Sequence, residues 1–327
     1  MNRFARITGT GSATPDEVLT NSDLEKMVDT TDEWITSRTG IKERRIAPPG
    51  KASSDYALMA SEKALKTAGI SAKDLDLIIV GTVTPDAPLP STACILQDKI
   101  GASNAAVVDI VAACSGFIYG IAFAKSMIVT SQMDNVLVIG VETLSRIVNW
   151  QDRNTCVLFG DGAGAAVVSA SKKPGGIIDT FLKGDGSLCH LLEVPAGGGR
   201  RPIGPDNINN GDRFIHMEGQ GVFKSAVKAM GDAATNILER TGTSSKDISL
   251  MIPHQANIRI IEATAKRIKL PMDRVFVNIQ KYGNTSAASV PIALDEAVRE
   301  GRIRSGDKIV LVAFGAGFTW GSALIEW

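Results

Sequence analysis

Long uncharged apolar runs are missing from this chain of 327 residues. The most apolar window, AAVVDIVAACSGFIYGIAFAKSMIV, contains Asp109 and Lys125. The N-terminal residues MNRFARITGTGSATP include no apolar segment of the kind found in signal peptides. The sequence therefore predicts neither a membrane span nor a secretory leader, and it favours a protein of the cytoplasm.

Cysteine and histidine are also scarce, and the net charge is zero. The four cysteines have no paired spacing, which is typical of reduced intracellular thiols rather than of a disulfide framework. Lysine plus arginine number 35 and aspartate plus glutamate number 35, so the overall charge favours no nucleic acid or membrane surface. With three histidines and no His-x-x-x-His or Cys-x-x-Cys spacing, we expect no metal site.

The chain does contain apolar, β-branched runs that alternate with longer helical patterns. LDLIIVGTV, AAVVDIVA and NVLVIGVE are typical of buried strands, and SDYALMASEKALKTAG is typical of a helix that ends at Gly69. This order predicts an α/β fold in which helices cover a parallel or mixed sheet.

Two segments recur at one offset. SAKDLDLIIVG, from Ser71, resembles SSKDISLMIPH, from Ser244, and their aspartates are 247 − 74 = 173 residues apart. DNVLVIG, from Asp134, resembles DKIVLVAFG, from Asp307, at the same distance of 307 − 134 = 173 residues. Equal offsets predict a duplicated α/β unit.

The repeat predicts a cleft shared by two halves. Cys114 falls on Ala287 under the offset, and both residues stand where a small-residue run opens a helix. Strand ends from two such halves commonly converge on one cleft. We expect the halves to span 1–170 and 214–327, with a connector over 171–213, where KKPGG and PAGGGRRPIGP indicate loops.

The run FGDGAGAA, over Phe159–Ala166, imitates a glycine-rich nucleotide loop. CVLF precedes it and AAVVSA follows it, so the pattern predicts a hairpin turn between two strands. A dinucleotide fingerprint needs a helix after the glycines, and we therefore exclude one here.

Cys114, in DIVAACSGFIYG, stands where a strand runs into a helix. A helix N-terminus stabilises negative charge by ~0.3–1 kcal/mol, and by up to ~2 in a partly buried site. Lowering a thiol pKa from about 8.5 to about 7 takes roughly 2 kcal/mol, so a thiolate is barely within reach without a nearby imidazole. The alternative is a buried structural cysteine, which is our interpretation of Cys94, Cys156 and Cys189.

Three further segments are candidates for chemistry. His254 follows an apolar strand in MIPHQAN and is expected to face the cleft, whereas His190 and His216 are interpreted as ordinary surface or core residues. Asn284, in KYGNTSAAS, is either a turn or N-cap residue or an amide donor beside His254. FGAGFTWG, over Phe314–Gly321, predicts a tight turn whose N–H groups could serve as oxyanion donors.

Together VAACSGF, PHQAN, GNTSAAS and FGAGFTWGSAL resemble β-ketoacyl–acyl carrier protein synthase III, the initiating condensing enzyme of bacterial fatty acid synthesis. The resemblance covers essentially the whole chain, from TDEWITSRTGIKERR to the final tryptophan. It implies the thiolase-like α/β fold, with two duplicated halves and mixed sheets in αβαβα layers. It also implies a homodimer without a metal or other cofactor, in which a coenzyme A thioester is a substrate.

The resemblance also implies roles for the candidate residues. Cys114 is then the nucleophile that takes an acyl group from acyl-CoA, and His254 and Asn284 donate hydrogen bonds to malonyl–acyl carrier protein as carbon dioxide leaves. The backbone N–H groups of Cys114 and Ala316 form the oxyanion hole. Ala316 stands where the family commonly has glycine, and alanine disfavours a positive φ.

Residues that match peripheral contacts of the family fall into two groups. Trp34 and Arg153 would bracket the coenzyme A adenine, with Arg38 and Asn257 as looser coenzyme A contacts. The residues matched to the acidic carrier protein, or extending that patch, are Arg259, Lys224, Lys266 and Arg267.

The acyl pocket is expected to be lined by Leu144, Phe159 and Phe314, together with Leu89. At the position of Leu89 the family often has a bulkier aromatic that crosses the dimer and limits the pocket. The smaller leucine would therefore admit a longer or branched primer.

Other activities remain as alternatives. The nearest is a related condensing enzyme for a secondary metabolite or polyketide starter. Elongating synthases usually have a second histidine where Asn284 stands, and thiolases a second catalytic cysteine near the C-terminus, so both are disfavoured. A thioester hydrolase that uses His254 as general base, or a non-catalytic binding protein, is less favoured.

Overall fold

The computed structural model describes residues 3–327. Its strands are β1 Phe4–Ala13, β2 Val18–Thr20, β3 Glu43–Arg45, β4 Leu77–Gly81, β5 Ala106–Ile110, β6 Asn135–Thr143, β7 Asp161–Ser171, β8 Gly176–Gly184, β9 Leu192–Glu193, β10 His216–Met217, β11 Leu250–Pro253, β12 Lys308–Gly315 and β13 Thr319–Glu326. Its α-helices are α1 Asn21–Leu24, α2 Asp32–Thr39, α3 Ser53–Ala68, α4 Thr92–Ile100, α5 Gly116–Val129, α6 Arg153–Cys156, α7 Gly219–Thr241, α8 Ile258–Arg267, α9 Ile279–Tyr282 and α10 Ser289–Arg299.

Two mixed sheets form the frame, as the sequence predicts. The first has the order β1-β7-β6-β4-β5, in which β6, β4 and β5 are parallel and β1 and β7 are antiparallel to their neighbours. The second has the order β8-β13-β12-β11, in which β12 and β11 are parallel. Position by position, the second sheet repeats the first four strands of the first.

The predicted duplication is confirmed in the backbone. Strands β4 and β11 begin at Leu77 and Leu250, which are 250 − 77 = 173 residues apart. The 3₁₀ turns Ala113–Ser115 and Ser286–Ala288 keep the same offset, 286 − 113 = 173. Their first residues have matching positive φ angles of 44° and 48°. Both halves therefore place the same unusual turn directly before a buried helix.

Side chains alternate between cores along each strand, because successive strand residues point to opposite faces. In β4, Ile78 packs outward with α3 and α4, whereas Ile79 packs inward against α5 and α10. In β12, Leu311 joins the same inner core and Val310 packs outward with α7 and α8. Each such buried side chain contributes about 1.5–3 kcal/mol. The result is the αβαβα layering implied by the resemblance.

The two halves touch through their backbones. A Cβ atom placed on Gly140 of β6 would lie 2.0 Å from the carbonyl oxygen of Ala287. Only a glycine permits this approach. The contact brings the Ser286–Ala288 turn of the second half against the first sheet, beside the end of β6.

The glycine-rich run Phe159–Ala166 does not form the predicted hairpin. Strand β7 begins at Asp161 and continues through the glycines to Ser171, whereas the preceding CVLF is the end of α6 and a loop. A Cβ on Gly164 would lie 2.6 Å from the backbone nitrogen of Ile292, so the glycine allows α10 to lie directly on this strand. Because a strand and not a helix holds the glycines, the exclusion of a dinucleotide loop stands.

The predicted connector is wrong over part of its length. Strand β8 lies inside 171–213 and pairs with β13, so it belongs to the second sheet. The glycine and proline signals are correct locally, because KKPGG forms the turn between β7 and β8 and PAGGGRRPIGP forms turns and loop. The second half therefore begins with β8, ahead of the predicted start at residue 214.

Candidate active site

Cys114 lies in the 3₁₀ turn Ala113–Ser115, between β5 and the first turn of α5. Its side chain is buried, with 8% exposure. Ala113 has a φ of 44°, a conformation that costs a non-glycine residue about 1–3 kcal/mol and is kept only where the surroundings enforce it. The turn places the thiol at the N-terminal end of α5 instead of within the sheet.

The C-terminal hairpin enforces this turn from the other side. A Cβ on Gly315 would lie 2.5 Å from the backbone nitrogen of Cys114. The Thr319 hydroxyl donates to the carbonyl oxygen of Ala112 at 2.9 Å and lies 2.6 Å from the Ser115 hydroxyl. Strands β12 and β13 are thereby fastened to the cysteine turn.

Ala316 follows Gly315 in this hairpin. Its φ is not positive, so the alanine that replaces the family's usual glycine causes no backbone strain. Ala316 and Cys114 line the same pocket. The role of their N–H groups as an oxyanion hole stays a prediction.

His254 follows the last residue of β11 and is 2% exposed. Its Nδ1 lies 2.6 Å from Oγ of Ser289, and this oxygen also accepts the N–H of Gln255 at 3.4 Å. Since the hydroxyl accepts from Gln255, its own proton is free to point at Nδ1. We assign the tautomer on this network: Nε2 bears the proton and is the donor.

Asn284 is both the turn residue and the oriented amide that the sequence leaves as alternatives. Its N–H donates to the Leu158 carbonyl oxygen at 2.8 Å, and its carbonyl oxygen accepts from the N–H of Gly160 at 3.0 Å. Its side-chain Oδ1 accepts the N–H of Ser286 at 2.9 Å. With Oδ1 occupied, Nδ2 is the part of the amide that remains to donate.

Cys114, His254 and Asn284 line one pocket of about 130 Å³. A second pocket, of about 270 Å³, also reaches Cys114 on its wall. Phe159 borders both. The three side chains that the sequence places in one cleft therefore do share a wall, and the cysteine borders both pockets.

The resting site is electrically neutral at these two groups. Burial raises the pKa of the Cys114 thiol to about 12, although a hydrogen bond from Ser286 opposes the rise. Burial lowers the pKa of His254 to about 3. Desolvation therefore outweighs the helix N-terminus, which supplies only up to ~2 kcal/mol, and a resting thiolate is not favoured.

The residues matched to coenzyme A lie together around an indole. The guanidinium carbon of Arg153 is 4.6 Å from the centre of the Trp34 ring, and that of Arg38 is 4.9 Å from it. Arg153 also donates to the backbone oxygen of Asp29 at 2.8 Å. Such guanidinium–indole contacts contribute about 0.5–2 kcal/mol.

Asn257 lines the first pocket but uses its side chain internally. Its Oδ1 caps α8 by accepting the N–H of Arg259, and its Nδ2 donates to the backbone oxygen of Arg38, both at 2.9 Å. The side chain therefore joins α2 to α8, and a contact with coenzyme A stays a prediction.

The basic residues matched to the carrier protein are exposed on α7 and α8, as Lys224 and Arg259. The guanidinium of Arg259 stacks on Phe223, 5.4 Å from the ring centre, and Phe223 lines the first pocket. Arg267 lies further along α8 and pairs with Asp232. Arg259 thus places a positive charge at the rim of this pocket.

The structure divides the residues predicted for the acyl pocket. Leu144 and Phe159 line the second pocket with other apolar side chains, among them Val83, Ile147 and Ile215. Phe314 borders the first pocket, beside His254, and is not on the wall of the second. Leu89 is 86% exposed and borders neither pocket within this one chain.

Sequence reasoning misses three polar residues at this site: Glu142, Ser286 and Ser289. Glu142 is the penultimate residue of β6, is fully buried, and accepts a hydrogen bond from the Ser286 hydroxyl. Ser289 contacts His254, as described above. A charged residue at the end of the apolar run NVLVIGVE is a signal that points to Glu142, whereas the two serines carry no such signal in GNTSAAS.

Cys94, Cys114, Cys156 and Cys189 are free. Within residues 3–327, no group of three or more His, Cys, Asp or Glu side chains is placed to hold a metal ion. Over the same range, every helix is too short or too polar to cross a membrane.

Two duplicated halves with mixed sheets, paired inner helices and a cysteine turn at their junction define an enzyme of the thiolase-fold condensing class. A family model described as 3-oxoacyl-[acyl-carrier-protein (ACP)] synthase III matches residues 108–186, and its C-terminal counterpart matches residues 238–327. The β-ketoacyl-[acyl-carrier-protein] synthase III of Caldanaerobacter subterraneus subsp. tengcongensis is 59% identical over 323 residues, which are 99% of this chain and 98% of the relative. The chain belongs to the β-ketoacyl-[acyl-carrier-protein] synthase III family.

Solved structures agree with this assignment. The 3-oxoacyl-[acyl-carrier-protein] synthase III of Aquifex aeolicus VF5 superposes with a TM-score of 0.92 at 49% identity and covers 99% of this chain and 100% of its own. The priming β-ketosynthase of the R1128 polyketide pathway superposes equally well, with a TM-score of 0.92, at 34% identity, over 99% of this chain and 96% of its own. The fold is therefore shared with a priming enzyme of a polyketide pathway.

Proposed function

We propose that this chain condenses an acyl-CoA primer, expected to be acetyl-CoA, with malonyl–acyl carrier protein in the cytoplasm. Carbon dioxide leaves and a β-ketoacyl–acyl carrier protein forms, which starts fatty acid synthesis. The observation that carries the proposal is the shared pocket of Cys114, His254 and Asn284 in a chain of this family. Four free cysteines suit the reducing cytoplasm.

In the first half-reaction, Cys114 attacks the thioester carbon of acyl-CoA and coenzyme A leaves. The tetrahedral oxyanion is held by the backbone N–H groups of Cys114 and Ala316. The second pocket supports this assignment, since it extends from Cys114 and is lined by apolar side chains that suit an acyl chain, including Leu144 and Phe159. Leu89 contributes to an acyl pocket only if it reaches the pocket of the second subunit in a dimer.

In the second half-reaction, Nε2–H of His254 and Nδ2 of Asn284 donate to the thioester oxygen of the malonyl group. Two neutral donors stabilise the enolate that forms as carbon dioxide leaves, without protonating its carbon. The carbanion then attacks the acyl-cysteine. The low pKa of His254 and the hydrogen bond that occupies Oδ1 of Asn284 both support donor roles.

Coenzyme A and the carrier protein approach over the rim of the first pocket. The Trp34–Arg153 stack is the proposed adenine contact, with Arg38 beside it. For the adenine to lie between indole and guanidinium, Arg153 has to swing away from Trp34. Arg259 and Lys224 offer positive charge to an acidic carrier protein.

A homodimer is supported by the open edge of the first sheet. Strand β5 is the terminal strand of that sheet, and its side chains are half-exposed or exposed. Val111 just beyond it is 80% exposed, and Val108 within it is 41% exposed. Apolar edges of this kind are typically covered by a second copy.

Sedimentation is expected to give twice the chain mass of 34.6 kDa, and a monomer at micromolar concentration would contradict the dimer.

The function is tested by mixing the protein with malonyl–acyl carrier protein and one primer at a time: acetyl-, isobutyryl- or octanoyl-CoA. Formation of β-ketoacyl–acyl carrier protein from acetyl-CoA is expected. Free acid alone would indicate a thioester hydrolase, and turnover restricted to another primer would favour a polyketide-type starter enzyme.

In the same assay, Arg259→Glu is expected to raise the KM for the carrier protein about tenfold, because the substitution replaces a positive charge at the contact by a negative charge that repels the acidic carrier protein.

A further inference from the structure

Glu142 is a buried carboxylate that the two half-reactions leave without a role. It is the penultimate residue of β6 and has no exposed surface, and no described lysine, arginine or histidine forms an ion pair with it. Its oxygens instead accept hydrogen bonds from the Thr84 hydroxyl at 2.6 Å, the Thr82 hydroxyl at 3.2 Å and the N–H groups of Val83 and Thr84 at 3.1 Å. A negative charge without a cation is expensive to bury, so its retention here calls for a reason.

Ser286 connects this carboxylate to the cysteine. Its hydroxyl lies 3.1 Å from Oε1 of Glu142. The Ser286 hydroxyl also opposes the raised pKa of the Cys114 thiol, and both side chains line the second pocket, on 3₁₀ turns that pack against each other. Ser286 is held in this place by a strained backbone, with φ of 48°, and by its N–H bond to Asn284. The Ser286 hydroxyl therefore lies between the two groups, hydrogen-bonded to the carboxylate and on the same pocket wall as the thiol.

We propose that Glu142 accepts the proton of Cys114 through the Ser286 hydroxyl when the thiol attacks acyl-CoA. The inference rests on the proposed function, because it supplies the base for the first half-reaction. Glu142 does not touch the substrate and acts only through Ser286.

The step conserves atoms and charge. The thiol proton passes to Oγ of Ser286 while the proton of Ser286 passes to Oε1 of Glu142, and the bond from Sγ to the acyl carbon forms. When the bond from that carbon to the coenzyme A sulfur breaks, the proton returns through Ser286 to the departing sulfur. The products are the acyl-cysteine, coenzyme A as a free thiol and an ionised Glu142.

Proton transfer through this relay costs less free energy than transfer to His254 as the base. Proton transfer to Glu142 moves one negative charge along the chain, and Ser286 donates a hydrogen bond to whichever end is ionised. Transfer to His254 would create a cation and an anion together in a buried site, against the lowered pKa of the imidazole. A positioned base of this kind accelerates proton transfer by about 10²–10⁴-fold.

The relay predicts a pH dependence for acylation. Burial raises the pKa of Glu142 to about 7, with hydrogen bonds from Thr84, Val83, Ser286 and Thr82 opposing the rise. Only the ionised carboxylate accepts a proton, so the acylation rate is expected to increase with pH through about 7 and then level off. The titratable group that interacts with it is the Cys114 thiol, and the pKa values of this thiol, about 12, and of the site's imidazole, His254, about 3, lie outside this range.

The test is the single-turnover rate of Cys114 acylation by labelled acetyl-CoA, followed by mass spectrometry across the pH range. Glu142→Gln is expected to lower the plateau rate about 10²-fold and to remove the rise near neutrality. Ser286→Ala is expected to do the same. Thr84→Val removes the shortest hydrogen bond to the carboxylate and is expected to move the midpoint to higher pH, because fewer donors stabilise the ionised form.

A matched control distinguishes the relay from a structural role. Thr10→Val also removes a threonine hydroxyl from a buried carboxylate. The Thr10 hydroxyl donates to Oδ1 of Asp295 at 2.9 Å, where β1 packs against α10. The variant is expected to leave the midpoint unchanged. If Glu142→Gln does not fold, Ser286→Ala and Thr84→Val carry the test.

The outcomes separate this inference from the proposed function. If Cys114 is acylated with the same pH profile in the Glu142, Ser286 and Thr84 variants as in the parent protein, the relay is wrong. The proposed function would be unaffected by that result. Label that never appears on Cys114 in the parent protein would overturn both. A lost rise in Glu142→Gln together with a shifted midpoint in Thr84→Val supports the relay.

Discussion

Replacing Cys114 by alanine is expected to abolish the transfer of acyl groups from acyl-CoA to the protein. Its sulfur is the only thiol that lines both pockets within residues 3–327, so no other cysteine of that range can replace it there. Covalent label should fall to background, and condensation should fall at least about 10³-fold. The change removes one sulfur atom from a buried turn, so the free energy of unfolding should change by only about 1 kcal/mol.

Intact-protein mass spectrometry after incubation with acetyl-CoA measures this directly. Cys94→Ala and Cys189→Ala are the matched controls, because both thiols are free and exposed and neither lines the two pockets. Each is expected to keep the full label. An acetyl group that still attaches to Cys114→Ala would mean that the nucleophile is another residue.

The fold could be read from the sequence because its signals are local and repeated. The runs that become β4, β5 and β6 are short, β-branched and bounded by turn residues, and the 173-residue echo indicates that the arrangement occurs twice. Local signals fail where a glycine serves a distant partner. Gly164 reads as part of a turn, but its missing side chain makes room for the backbone of Ile292 in α10.

The positions of the candidate site were predictable, whereas its electrostatics were not. Cys114, His254 and Asn284 each stand at the end of a recognisable element, and ends of such elements meet at a shared edge. The pKa of a thiol depends on how completely the fold excludes water, and that follows from contacts far along the chain. Glu142 and Ser286 are 286 − 142 = 144 residues apart, so no spacing rule connects them.

Removing the donors opposite the cysteine is expected to separate the two half-reactions. Asn284→Asp is the sharpest change, because its carboxylate can still accept the N–H of Ser286 while the NH2 donor disappears. A negative charge also then faces the developing enolate. Decarboxylation of malonyl–acyl carrier protein should fall about 10²–10³-fold in Asn284→Asp and in His254→Ala, as for the loss of an oxyanion donor.

Acylation of Cys114 should change by less than about fivefold in the same variants, since neither donor takes part in that step. Ser289→Ala provides an intermediate case: it leaves Nδ1 of His254 without its 2.6 Å partner, so the tautomer with the proton on Nε2 loses its preference. We expect about a tenfold loss of decarboxylation, equivalent to one hydrogen bond. Radiolabelled carbon dioxide release and single-turnover acylation measure the two steps separately. Equal losses in both steps would contradict the division of roles, because donors aimed at the malonyl oxygen have no reason to slow the attack on acyl-CoA.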